Sequence, residues 1–243
     1  TAYRTNLDFY HGTQWQTTSR HRQLVFNYSK VSIDKVTSFL MQGLNFACYP
    51  IESSQKSRVK SQESGVGGDS RLKTNDSELA TDLKARARQI EQLLLQVYQD
   101  NNLQQLDWET EIDAAVLGDA CYKVIWDHDA KRIRVTSPDV SGIFAWWLGD
   151  DMSKLWRVAS RYTLSQDEVQ LIYDRPITKK SAVITELWTD NTFDLYLDND
   201  LMQSQPNPYG FIPFVIFPNL REPKKFWGTS DIPTIVQPQR ELN

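Results

Sequence analysis

The side chains able to do chemistry are few, and their spacing argues against an active site. His11, His21 and His128 are the three histidines, and Cys48 and Cys121 the two cysteines. No two of them share the i, i+4 or paired Cys/His spacing that gathers ligands around zinc. Asp150 with Asp151, and Asp198 with Asp200, offer oxygen donors for a divalent cation, as a metal-dependent nuclease would require. Both pairs stand in turn-like polar sequence, where Asp is favoured because its side chain bonds nearby backbone. The cluster Gly65-Val66-Gly67-Gly68 lacks the preceding strand and the following Lys-Ser/Thr of a phosphate loop. No GxSxG, HExxH or GxxxxGK[ST] pattern occurs. Eight tryptophans, with Trp146 and Trp147 adjacent, raise the alternative of a glycan-binding face, but their apolar strand contexts assign them mainly to core packing. The sequence therefore predicts no catalytic residue, no metal ligand and no cofactor site. The expectation is a protein that is not an enzyme.

The elements that would position these residues belong to an ordinary globular chain. Hydrophobic residues make up 40% and charged residues 24% of the 243 positions. No apolar run approaches the roughly 18 residues of a spanning helix, and Thr1 does not open a signal peptide. Two cysteines outside any CxxC predict reduced thiols in a cytoplasmic setting. The net charge of −4 argues against a surface that embraces nucleic acid as a whole. Residues 1–75 carry ten Lys/Arg against five Asp/Glu, which leaves −9 for the remainder. A solvated, mildly basic surface accounts for that difference.

Along the chain, Tyr10-His11-Gly12-Thr13-Gln14-Trp15 reads as a turn between aromatic anchors. Residues 24–44 place Val31, Val36, Phe39, Leu40 and Leu44 at mostly helical spacing, which predicts an amphipathic helix on a core. Residues 52–77 are almost devoid of aliphatic side chains and predict a mobile linker. A long helix follows over residues 75–101, capped by Asp76 or Ser77, with Leu79, Leu83, Ala87, Ile90, Leu94 and Val97 on one stripe. A second helix spans residues 106–117 and stops at Gly118. Apolar runs at 120–126 and 132–136 flank a polar turn and predict a hairpin. Further strands fall at 138–147 and 155–163. Ser165 and Glu168 form a capping box for a short helix reaching Tyr173. Residues 182–188 and 192–197 make another hairpin, with a return strand at 201–203. Helices first, then antiparallel strands with a small helix inserted, give an α+β fold.

The last stretch, residues 207–243, opens with the rigid turn Asn207-Pro208-Tyr209-Gly210. Residues 211–217 read as a buried strand interrupted at Pro213. A proline-marked loop then leads to Gly228-Thr229-Ser230-Asp231, where Ser230 or Asp231 can cap a helix with Pro233 in its first turn. The helix is expected to be only begun at Asn243, as though the chain were cut there, and Pro238 leaves its extent open. The expected divisions are 1–51, a helical part; 52–77, a linker; 78–227, an α+β domain; and 228–243, a helical lead-out.

Several of these pieces, taken in order, resemble the N-terminal half of a tailed-bacteriophage portal protein. They are Tyr10-His11-Gly12-Thr13-Gln14-Trp15, Leu24-Val25-Phe26-Asn27-Tyr28, Ala114-Ala115-Val116-Leu117-Gly118-Asp119-Ala120 and Glu186-Leu187-Trp188-Thr189-Asp190. The set continues with Asn207-Pro208-Tyr209-Gly210-Phe211-Ile212-Pro213-Phe214-Val215, Pro218-Asn219, Gly228-Thr229-Ser230-Asp231 and Glu241-Leu242-Asn243. The positions carrying the resemblance are Gly12, Asn27, Gly118, Asn207, Pro208, Gly210, Pro213, Asn219, Gly228, Ser230, Asp231 and Asn243. Two departures are Pro238, where the family continues an amphipathic helix, and the polar stretch 52–77.

The resemblance implies a structural subunit with no active site. Such proteins form dodecameric rings around a channel for double-stranded DNA at the capsid vertex. They dock terminase during packaging and later a head–tail adaptor, and they sit against major capsid or scaffolding protein. It implies a virion location, with assembly in the host cytoplasm and no membrane partner. Residues 1–227 would be mostly wing, and the segment from Gly228 would lead toward the stem.

Overall fold

The computed structural model describes residues 2–14, 25–41, 46–49 and 70–243, with side chains described from residue 81 in the last segment. The chain divides into two units: residues 1–42 with 105–243, and residues 43–104. The first is an α+β unit. Its helices are α1 (Ala2–Tyr10), α2 (Tyr28–Leu40), α4 (Leu103–Leu117, all but its first two residues), α5 (Gln166–Tyr173) and α6 (Ile232–Leu242). Its strands are β1 (Asp119–Asp127), β2 (Arg132–Thr136), β3 (Ile143–Leu148), β4 (Asp151–Ser165), β5 (Ser181–Trp188), β6 (Thr192–Leu197), β7 (Asp200–Pro206) and β8 (Phe214–Pro218). They make two antiparallel sheets, of order β2-β1-β8 and β3-β4-β5-β6-β7.

Local chemistry accounts for most of these elements. Strand β5 alternates strictly, with Ala182, Ile184, Glu186 and Trp188 buried and their neighbours outward, which is the period-two signature of a sheet with one covered face. Ser165 Oγ accepts from the Glu168 amide at 3.3 Å, and Glu168 Oε2 accepts from the Ser165 amide at 2.7 Å. That reciprocal pair starts α5. Asp174, left-handed at φ 48°, ends it.

Three cores hold the unit. Phe9, Tyr10, Ile33, Ala115, Val116, Leu117, Val140 and Ile232 join α1, α2, α4 and α6. Cys121, Ile143, Val158, Trp188 and Phe214 lie between the two sheets. Val169 seats α5 on Ala182, Ile184, Leu195 and Leu197 of the five-stranded sheet.

Several sequence expectations are corrected here. The helix expected over 24–44 runs from Tyr28 to Leu40, with Asn27 as N-cap accepting from the Lys30 amide. Its buried face is Ser29, Ile33 and Thr37, whereas Val31, Val36, Phe39 and Leu40 are exposed. Small side chains at 29 and 37 admit close neighbours, and Ser29 donates its amide to Gln239 Oε1. The strand expected over 211–217 begins only at Phe214, because Phe211 follows the turn and is exposed. Phe214 itself is 7% exposed, as its apolar context implied. Helix α1, whose packed face is Tyr3, Phe9 and Tyr10, is absent from the sequence expectations. The turn at His11-Gly12 follows it, and Trp15 lies outside the described residues.

The second unit holds α3 (Ser70–Asp100) and residues 46–49, which form neither helix nor strand. Of the linker expected over 52–77, residues 52–69 lie outside the described set, while 70–77 belong to α3. The helix begins at Ser70, ahead of the start expected at Asp76 or Ser77. No Gly or Pro interrupts residues 70–100, so the helix propagates toward the Gly65–Gly68 cluster. Ala87 is buried, but Ile90 and Leu94 of the expected stripe are about half exposed. The covered side instead carries Glu91, whose Oε2 accepts from the Cys48 amide at 3.1 Å, and Tyr98, edge-on to Phe46.

Candidate functional site

The residues that carry the resemblance gather at three places. The first is where α4 ends and α6 begins. A helix leaves its last four carbonyls without internal partners. Here the Gly118 amide takes Ala114 O at 2.7 Å, and the Asp231 amide takes Ala115 O at 2.9 Å. Ser230 Oγ lies 3.0 Å from Ala115 O and 2.6 Å from Val116 O, and accepts from the Ile232 amide at 3.0 Å. One hydroxyl thus serves the end of α4 and the start of α6. Ser230 caps through that contact, while Asp231, the N-cap residue, makes no side-chain cap bond. Asn219 donates its amide to Gly118 O and its side chain to Thr229 O and Asp231 Oδ1.

Backbones touch at the centre of this knot. Gly118 has φ +102°, and a Cβ there would lie 2.8 Å from the Ser230 nitrogen. A Cβ on Gly228 would lie 2.6 Å from Gly118 O and 2.7 Å from Pro218 Cβ. Gly118→Ala is expected to cost about 2–3 kcal/mol, combining a forbidden dihedral with a backbone clash. Gly210→Ala, with φ +68° and nothing within 4 Å, serves as control at about 1 kcal/mol. Urea midpoints of the two variants make the comparison.

Asp119, 1% exposed, receives the Gly228 amide at 2.7 Å and the Tyr3 hydroxyl at 3.5 Å. Burial raises its pKa despite those two donors. Burial also raises Asp113, helped by Asp139 and Glu109, and raises Glu111, helped by Asp231. A raised carboxyl pKa stabilises the fold below the unfolded value of about 4, and that contribution is lost as pH rises through the folded value. Asp127, Glu168, Asp198 and Glu222 are shifted down and act oppositely, losing their contribution as pH falls through their folded values. The melting temperature is therefore expected to rise on leaving pH 7 for mildly acidic buffer, then fall in stronger acid. Asp119→Asn, whose carbonyl can still accept from Gly228, should flatten the rise.

The second place joins α1, α2 and α6. Asn27 donates to Tyr10 O at 2.7 Å, beside Gly12. Gln239, 1% exposed, donates to Phe26 O, and Asn243 accepts from the Phe26 amide at 2.9 Å and donates to Gln14 at 2.5 Å. Helix α6 runs through Pro238 to Leu242, so the proline does not end it. The third place is the turn Asn207-Pro208-Tyr209-Gly210. Asn207 donates to Thr189 O and Phe211 O, both at 2.8 Å, and accepts from the Tyr209 amide. Tyr209 OH accepts from the Trp126 amide, and Pro213 O from the Val124 amide, so the turn is pinned to β1.

A fourth constellation has no counterpart in the expected set. Lys123 Nζ lies 2.5 Å from Glu186 Oε2, with both side chains largely buried at 15% and 9%. Trp188 Nε1 and Tyr162 OH each donate to Glu186 at 3.0 Å. Burial, then the Glu186 charge, pushes the Tyr162 phenol far above its usual range and keeps it a donor. The available signal was a charged residue at an inward position of an alternating strand.

Burial drives the Cys121 thiol up to about 12, against the opposing Lys123 charge, which makes it a poor nucleophile. Asp151 accepts from the Ser153 amide and hydroxyl, and Asp198 from the Val183 amide and Lys179, so both carboxylates are spent on local turns. Among the described residues no three His, Cys, Asp or Glu side chains are grouped to hold a metal, and no helix is long and apolar enough to cross a membrane. The described tryptophans divide: Trp188 is buried and Trp227 packs on two of the cores, whereas Trp126, Trp146 and Trp156 are 36–42% exposed. Trp146 and Trp156 both stack on the Arg157 guanidinium, at 4.3 and 4.5 Å, on the β4 bulge opposite β3. No family model and no curated protein matches the chain.

Proposed function

We propose that this chain is the wing portion of a phage portal subunit, a structural part of the ring through which double-stranded DNA enters and leaves the capsid. The observation that carries the reading is the knot at the α4–α6 junction. Five of the resembling residues, Gly118, Asn219, Gly228, Ser230 and Asp231, meet there in one hydrogen-bonded arrangement. A wing needs such a joint, because it must fix the direction in which a helix leaves toward the stem. In this reading the ring is a dodecamer, terminase and adaptor dock on parts outside residues 1–243, and the wing faces capsid or scaffolding protein. The subunit is made in the host cytoplasm, ends in the virion and catalyses nothing.

Electron microscopy and light scattering test this. A gene product carrying these residues with a stem is expected to form closed rings. Residues 1–243 alone are expected to be a monomer or weak oligomer, with DNA binding in the nonspecific range of roughly 10⁻⁴ to 10⁻⁶ M at physiological salt. A stable ring from 1–243 would move the assembly contacts into the wing. Magnesium-dependent DNA cleavage lost on changing Asp150 or Asp151 would replace the proposal with a nuclease. Saturable quenching of tryptophan fluorescence by cell-wall sugars would replace it with a glycan-binding module.

A further inference from the structure

We propose that strand β3 pairs edge to edge with β3 of a second copy of this chain, joining two five-stranded sheets across a two-fold axis. The edge strands of the two sheets differ in how they are protected. Strand β2 carries Arg132 and Arg134, β7 carries Asp200 and Pro206, and β8 ends on Pro218. Charges and prolines of that kind keep an open edge from adding another strand. Strand β3, Ile143-Phe144-Ala145-Trp146-Trp147-Leu148, has neither.

Strand β3 pairs with β4 on one side and with no strand on the other. In an antiparallel ladder, alternate residues turn their N–H and C=O away from the partner strand. The Ile143 amide is taken by Val140 O. Among the described residues, however, no bond outside the β3–β4 ladder engages the main chain of residues 144–148. The outer face beside this edge is apolar. Phe144, Trp146 and Leu148 alternate along β3 and are exposed, and Arg157 lies between the rings of Trp146 and Trp156. Aromatic side chains and arginine are the residues that protein interfaces enrich at their centres.

The two ends of β3 identify the occupant. Exposed Arg161 stands beside its start, where Gly142 comes so near that a Cβ there would lie 2.1 Å from Arg161 O. Exposed Asp150 stands just past its end. Neither charge has an ion-pair partner among the described residues. Asp139 lines the same hollow as Arg161, but its carboxylate accepts from the Ser141 amide. Antiparallel pairing centred on Trp146 sets Phe144 opposite Leu148 of the second copy, and Gly142 opposite that copy's Asp150. With no side chain at Gly142, Arg161 has a clear path across it to the carboxylate. The two-fold axis repeats the contact at the other end. A strand with opposite charges at its ends is thus complementary to its own reversed copy. Such a contact closes at two copies, whereas a ring needs a head-to-tail one, so β3 is distinct from the ring interface of the portal reading.

The test is sedimentation equilibrium on residues 1–243. One strand pair with its flanking side chains is a small interface, so a dimer is expected with a midpoint on the order of 10⁻⁵ to 10⁻⁴ M. Phe144→Lys and Leu148→Lys, both at exposed positions, should each weaken it at least about tenfold, while Leu171→Lys on the exposed side of α5 should leave it unchanged. Arg161→Asp or Asp150→Arg alone should also weaken the dimer. The two together should restore it, because each reversed charge again meets its opposite across the axis. Amide exchange at residues 144–148 should slow as concentration rises. Melting temperatures establish that each variant is folded, and the charge reversals carry the test if a lysine variant is not. A monomer up to about 1 mM, a dimer indifferent to the lysine variants, or a double reversal no better than the single ones overturns the proposal. So does an assembly larger than two, which would require head-to-tail contacts. Ring formation by a longer gene product is none of these outcomes, so the strand contact and the portal reading fail separately.

Discussion

Lys123→Ala is expected to cost about 3–5 kcal/mol of folding stability, the usual penalty for stripping one partner from a buried ion pair. Lys123 reaches across from β1 to Glu186 on β5, and its ammonium also lies within 6 Å of the Trp188 and Phe214 rings. Without it, Glu186 keeps two donors, Trp188 and Tyr162, but its charge has no counterion in an enclosed site. The loss should therefore exceed that of Glu186→Gln, which removes the charge yet can still accept from both donors. Lys123→Met with Glu186→Gln should recover part of the loss, because no unpaired charge is left behind. Chemical denaturation of the unaltered protein, Lys123→Met, Glu186→Gln and the double variant closes the cycle. Additive losses would mean the pair is solvated in solution and contributes little beyond packing.

Phe214→Ala is expected to cost a similar amount, about 3–5 kcal/mol, through a cavity between the two sheets. Phe214 is the register partner of Lys123 and touches Trp188 edge-on, at a centroid distance of 6.5 Å. Its neighbour Val215, on the opposite face of β8, is 56% exposed and should cost under about 1 kcal/mol when truncated. That pair of results would fix which face of β8 the core covers. A loss below about 1 kcal/mol at Phe214 would put the inter-sheet core elsewhere. Because Phe214 and Lys123 are in contact, their combined substitution should fall short of the sum.

What could be seen in the sequence was what short-range chemistry decides. The hairpin turns, the Ser165–Glu168 capping box and the alternation of β5 are properties of neighbours. So is the start of α6, where Ser230 precedes Pro233. The buried face of α2 was misassigned for the converse reason. Ile33 is buried between Ser29 and Thr37 because Phe9, Tyr10 and Ile232 pack with it, and Gln239, 210 residues beyond Ser29, bonds the Ser29 backbone. Val31 and Phe39 are apolar too, but among the described residues they stay exposed. The candidate site shows the same division. Gly118, Asn219, Gly228 and Ser230 were singled out one by one, yet their meeting depends on the α4 carbonyls and on Asp119, which binds Gly228 across 109 positions. The pairing of Lys123 with Glu186 was not foreseen, because a charge inside a strand becomes informative only once the opposite sheet supplies its partner.

The core that unites α1, α2, α4 and α6 also sets an order of events during synthesis. Phe9 and Ile33 pack in one cluster with Ile232, so the amino-terminal helices have no complete resting place until about 200 further residues have been made. At roughly 5–20 residues per second, that delay is on the order of 10–45 s. Before it ends the hairpins β1–β2 and β5–β6, built from near neighbours, can form, while α1 and α2 remain short helices too small to persist alone. The amino-terminal helices should therefore be the last to dock, and the nascent chain should expose Phe9 and Tyr10 to chaperones until the Ile232 turn emerges. Ribosome-bound chains stopped shortly before and shortly after that turn leaves the exit tunnel should differ sharply in protease resistance at α1.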